Sequence, residues 1–166
     1  MGFKKTSATI AVSFGLSESA ANTFTQEEIA LQLDVLNNEI FVVLAVDLNP
    51  TAPDLVAAQT TETRAVVTST SQTAITSLSS TNTIAEAALA IVSDAANSVS
   101  FTRAAEESYS GNLDYVALIA TNNFFVAVKG NNNTAAKGTS GRVWGYRAKA
   151  DSSTYAALVQ SEVLSA

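Results

Sequence analysis

The sequence predicts an α+β fold, mainly antiparallel β, in which two similar hairpin-strand-helix halves form one sheet-based core. Three observations carry that expectation. An apolar run, an Asn-Asn pair and a second apolar run follow one another twice, around Asn37-Asn38 and around Asn122-Asn123. Asn tolerates the left-handed backbone that a two-residue hairpin turn demands. Several short stretches alternate apolar and polar residues as half-buried strands do, and two others space their apolar residues as helices do.

Taken in order, residues 6–14 place Ala8, Ile10, Val12 and Phe14 against smaller or polar partners and read as the first strand. Lys4-Lys5 ahead of the short apolar stretch 8–12 only faintly imitates a signal peptide. A polar connector, 15–25, leads to a first hairpin over about 29–48. Its second strand is apolar on both faces, as befits the middle of a covered sheet. Asn49-Pro50 and Pro53 end it, and a third strand follows at 63–70. Thr83-Ile-Ala-Glu86 fits a capping box, and Ile84, Ala87, Ala88, Ile91 and Val92 make an apolar stripe, so a helix is expected there. The second half repeats the order: hairpin 113–129, loop 130–138, strand 141–147 and helix 153–164. The chain reads as one structural domain, 1–166, with an internal duplication spanning about 26–94 and 110–166.

Composition restricts the chemistry. There is no histidine and no cysteine among the 166 residues, which removes the usual catalytic triads, thiolate nucleophiles and most zinc sites. Ser and Thr together make 38 residues while only 14% are charged, so the exterior is polar but largely uncharged. Such groups lose less on desolvation than charges do, which suits a surface that lies against other proteins. Residues 1–94 hold ten acids against Lys4, Lys5 and Arg64, whereas 115–150 holds five basic residues and no acid. Segregation of this kind would let neighbouring copies pair head to tail through complementary potentials. Five cations in an acidic chain fall short of a nucleic-acid footprint, and no stretch is apolar for long enough to span a bilayer.

Few residues suggest chemistry. Glu27-Glu28 and Glu106-Glu107 are adjacent carboxylates whose side chains point apart in a strand or helix. Asp47, Asn49 and Asp54 lack the spacing of a calcium loop, and Lys137-Gly138-Thr139 has the wrong order for a phosphate loop. Asn132-Asn133-Thr134 matches a glycosylation triplet, which matters only in a secretory pathway. Trp144 and Tyr146 share one strand face and, with Tyr115, could form a sugar-stacking platform; burial under a helix or subunit is the plainer reading. No catalytic residue, cofactor or metal site is expected. Asp47, Asp54, Lys129, Lys137, Arg142 and Arg147 are the expected interface residues, with loops 49–61 and 130–140 making contacts to neighbours.

The opening Met1-Gly-Phe-Lys-Lys-Thr-Ser-Ala8, the run Phe41-Val-Val-Leu-Ala-Val-Asp-Leu-Asn-Pro50, the Asn-rich loop and Val143-Trp-Gly-Tyr146 resemble the small, Ser/Thr/Ala-rich virion proteins of marine tailed phages. The resemblance covers most of the chain and implies a non-enzymatic capsid or capsid-decorating protein, present in many copies in the virion. Its partners would be copies of itself and other virion proteins. A tail-tube or pilus-like fibre subunit and a carbohydrate-binding module using Trp144 and Tyr146 are the alternatives.

Overall fold

The computed structural model describes residues 2–103 and 113–165. Sheet I holds β1 (Phe3–Lys5), β2 (Ile10–Ser17), β4 (Glu39–Pro50), β8 (Ala117–Ile119) and β10 (Gly138–Ala150). Sheet II holds β3 (Thr25–Ala30), β5 (Thr61–Thr68), β6 (Thr83–Ser93), β7 (Ser98–Arg103) and β9 (Asn123–Asn131). One helix, α1 (Ser152–Ser165), follows the last strand.

All pairings are antiparallel, and they nest: β2 with β10, β3 with β9, β4 with β8, β5 with β6. A long antiparallel ribbon rolled so that its strands alternate between two facing sheets gives this order, and it is a jelly roll. β1 extends the β2 edge along β10, and β7 adds an outer strand beside β6.

The nesting explains why neither Asn-Asn pair closes a hairpin. β3 and β4 lie in different sheets, and so do β8 and β9. Each pair sits where the ribbon turns the corner from one sheet to the other. Leu31 and Leu33 point into the core at the first corner, a 3₁₀ turn (Val35–Asn37) follows, and Asn38 takes the left-handed conformation at φ 54°. The second corner runs alongside, with the Leu31 amide donating to the Asn122 carbonyl at 2.7 Å. Each Asn pair does mark a sharp bend, and the bend carries the chain across to the facing sheet instead of back along the same one.

The helix expected from Thr83 is strand β6. Ala85 and Ala87 are buried in the core, Leu89 and Ile91 continue their face, and β5 and β7 pair on either side. Alanine fits either state, so the two flanking strands decide. Glu86, read as the capping-box acid, instead accepts from the Arg64 guanidinium and from the Leu78 amide at 3.1 Å. With no helix in the first half, the hairpin-strand-helix order is not repeated, and strands of both halves alternate through each sheet. The strands near 63–70 and 141–147 and the C-terminal helix are found, the second as part of the longer β10. Glu106-Glu107 lies outside the described residues.

Phe41, Val43, Val46, Leu48, Ala65, Val67, Ile119, Phe124, Val126 and Val143 fill the space between the sheets. A second cluster forms on the outer face of sheet I, where Ile40, Val42, Ala148 and Ala150 meet Tyr155, Leu158 and Val159 of α1. A β-bulge makes both possible. The register of β4 on β10 shifts at Trp144/Gly145, so Val46 and Leu48 face inward on one side of the shift and Val43 and Phe41 on the other. Gly145 sits at the same place because a Cβ would meet the Phe41 ring at 2.5 Å and, closer still, the Val42 carbonyl. On sheet II, Val66 and Ala127 are buried, and loop 69–82 is tied to β3 by the Gln72 amide donating to Gln26 Oε1 at 2.8 Å.

Candidate functional site

Three loops gather at one end of the sandwich: 18–24 after β2, 51–60 after β4 and 132–137 after β9. Buried Glu18 ties them together, accepting backbone N–H groups from Thr23 (2.8 Å), Gly130 (2.9 Å) and Lys137 (2.8 Å). Asn22 and Asn133 exchange two hydrogen bonds of 2.9 Å, and Asn133 Oδ1 accepts the Asp54 amide at 2.9 Å. Asp54 completes the clasp. One oxygen takes the Lys137 ammonium at 2.7 Å, and the other takes the Thr134 amide and hydroxyl, both at 2.9 Å. Lys137 first and Thr134 second hold the Asp54 carboxyl down at about 2. Asn22 and Asn132 are left-handed here at φ 59° and 57°, the conformation Asn tolerates best.

Two of the five basic residues of the second half therefore meet acids of the first half inside one chain. Lys137 pairs with Asp54, and Arg147 pairs with Glu39 at 2.8 Å while also bonding the Leu31 and Gln32 carbonyls of the first corner. Arg142 lies opposite Asp47 across β10 and β4. The separation of charge along the sequence does not become an acidic end and a basic end, because β10 runs between β2 and β4 and β9 between β3 and β5. Of the six expected interface residues, Asp54, Lys137 and Arg147 are engaged within the chain. Asp47 and Arg142 stand on the outer face of sheet I, and Lys129 lies opposite Arg64 in sheet II.

Trp144 and Tyr146 do share the outer face of sheet I. Tyr146 packs against the helix-side cluster with the Lys5 ammonium 4.6 Å from its ring centroid, whereas Trp144 lies beyond α1 with Arg142 at 5.8 Å. Tyr115 belongs to that cluster too, edge-on to Phe3 at 6.1 Å.

Two carboxylates escaped notice in the sequence. Glu18 stands alone in a Ser-rich connector and gave no signal. Glu162 did give one: Tyr155, Leu158, Val159 and Glu162 fall on one helical stripe, so a carboxylate continues the apolar face of α1. It is buried, accepts the Ala120 amide at 2.8 Å at the second corner, and has its other oxygen without a partner. Burial raises its carboxyl above the ordinary value despite that hydrogen bond. A cavity of about 260 Å³, bordered by Ser69, Thr83, Ser161 and Glu162, lies beside it.

No protein-family model matches the sequence, and no curated protein matches it. Among solved structures, that of Desmodium yellow mottle tymovirus is similar with 12% identity and a TM-score of 0.31, over 86% of this chain and 87% of that one. Empty-head turnip yellow mosaic virus is similar with 10% identity and a TM-score of 0.30, over 89% and 82%. A second structure of turnip yellow mosaic virus has 10% identity and a TM-score of 0.28 over 86% and 82%. These neighbours are viral structures at low similarity. At such scores the jelly roll stands on its own strand pairing. Among the described residues no helix is long and apolar enough to cross a membrane, and no cluster of three acids is placed to hold a metal ion.

Proposed function

We propose that this protein is a non-enzymatic structural subunit of a virus particle, a capsid or capsid-decorating protein of a tailed phage that works by associating with copies of itself. The nested pairing of a single jelly roll is the observation that carries the reading, since viral shells, lectins and cupins are where that architecture recurs. A fold hosts many functions, so the side chains must choose among them. The space between the sheets is taken by Phe41, Phe124, Ile119 and their neighbours rather than by a ligand, and the chain lacks histidine. Both favour a building block over a barrel enzyme.

The surface supports the same reading. Among the described residues β7 is an edge strand of sheet II, and Phe101 and Val99 are 57% and 53% exposed on it, next to Val92 of β6 at 42%. The other edge, β3, carries Glu27 and Glu28, whereas β7 carries no acid. β3 offers a neighbour two carboxylates, whereas β7 offers exposed Val99 and Phe101 and ends in a cation, Arg103, so β7 is where a second copy docks. Lys129, on the outer face of sheet II, remains for a further lattice contact.

Electron microscopy and light scattering of the purified protein test this directly. Shells, rings or defined capsomers at high concentration are the expected result; open fibres would indicate a tail-tube or pilus-like subunit, and a strict monomer would defeat the assembly reading.

A further inference from the structure

Helix α1 covers only part of the outer face of sheet I. The rows holding Ile40, Val42, Ala148 and Tyr146 lie with the helix, and beyond them the face opens as a groove of about 390 Å³. Register sets out its floor. Trp144 lies between Ala11 and Ala45, Arg142 between Ser13 and Asp47, and Ser140 between Gly15 and Asn49. Trp144, the chain's only tryptophan, has a small side chain on each neighbouring strand; it is half-buried, with the Arg142 guanidinium 5.8 Å from its ring centroid, and the uncovered part of the ring borders the groove.

The polar groups around it have unused capacity. Asp47, Asn49 and Ser140 are exposed, and among the described residues their side chains make no hydrogen bond or ion pair. Arg142 is steadied by its Nε donating to Ser13 Oγ at 3.0 Å, yet forms no ion pair with the Asp47 opposite it.

We propose that this groove binds a neutral saccharide, with Trp144 stacked on the apolar face of one sugar ring and Asp47, Asn49, Ser140 and Arg142 bonding its hydroxyl groups. A sugar hydroxyl both donates and accepts. The groove matches it with a carboxylate that only accepts, a guanidinium that only donates, and an amide and a hydroxyl that do both. An aromatic body beside a few convergent polar groups is the usual make-up of a small-ligand site. The one positive and one negative charge cancel, which disfavours a polyanion such as single-stranded nucleic acid even though its bases could stack. Tyr146 takes no part, because Lys5 and the helix-side cluster occupy it. The site is therefore one ring with a polar strip rather than a platform of Trp144 and Tyr146 together.

Trp144 is its own reporter. Titration of the full chain with oligosaccharides of glucose, galactose, mannose and N-acetylglucosamine should give a saturable change in tryptophan fluorescence with at least one of them. Asp47→Ala and Asn49→Ala should each weaken that binding about tenfold, the scale of one lost hydrogen bond to a fixed polar group. Both positions are exposed, so circular dichroism and the unfolding midpoint should stay unchanged. A flat response to the whole panel overturns the proposal. So does a response that survives both substitutions, or an equal response to polyuridylate. Light scattering on the same samples reads self-association separately, so failure of either proposal leaves the other where it stood.

Discussion

Glu162 and Asp54 are carboxylates driven in opposite directions by their surroundings. Burial raises Glu162, so the folded protein holds that proton more tightly than the unfolded chain does. The stability it confers is fully present below the unfolded value near 4.5 and is lost as pH rises through the higher folded value. Glu162→Gln keeps an acceptor for the Ala120 amide and cannot ionise. Urea unfolding should find it more stable than the parent at neutral pH, on the order of 1 kcal/mol, with the difference shrinking in acid. Asp54 is the reverse case. Lys137 and Thr134 depress it to about 2, so its contribution is present above the ordinary value of 3.8 and is lost as pH falls toward 2. At neutral pH, Asp54→Asn should speed hydrogen exchange at the Thr134 and Ala135 amides, which donate to the Asp54 carboxylate at 2.9 and 3.2 Å, and parent and variant should converge in strong acid.

At the scale of elements, β10 organises sheet I and the bulge beside Gly145 organises β10. Gly145→Ala should cost at least about 2 kcal/mol in chemical denaturation, because the new methyl group must displace the Phe41 ring or the Val42 carbonyl. A mild effect there would mean that the register shift is more pliable than its packing suggests. The same elements mark how far the sequence could be read. The alternation of Ile10, Val12 and Phe14, the doubly apolar β4 and the C-terminal helix were legible because their periodicity is local, although the first of these strands starts at Ile10 rather than Thr6 and runs on to Ser17. β6 was not, since 83–93 is rich in alanine and carries both periods at once; its state is set by β5 and β7, which the segment cannot announce. The Asn pairs signalled bends, but whether a bend returns the chain to the same sheet or crosses to the facing one depends on strands far away in sequence. For the site, the rows that place Trp144 beside Asp47 and Asn49 were invisible for the same reason: β4 and β10 are separated by nearly ninety residues. The charge asymmetry was visible, and its meaning inverted once the two halves interleaved.

At the scale of the whole molecule, the two edges of sheet II differ in what they offer a neighbour. Phe101→Lys replaces the most exposed apolar side chain of β7 with a charge. Light scattering should show a smaller assembly while the melting temperature barely moves, since surface substitutions usually stay within about 0.5 kcal/mol. The equivalent change at Glu27 on β3 should have little effect on assembly.

The nested pairing also bears on time. β2 binds β10, so residues near the beginning of the chain must wait for residues 138–150 before sheet I can close. Contacts this distant in sequence make for slow folding, in the millisecond-to-second range typical of all-β sandwiches. During synthesis, β2 and β4 emerge with the strand that belongs between them still unmade. Their unpaired edges stay open until β10 arrives, and in that interval a nascent chain is most exposed to the wrong partner.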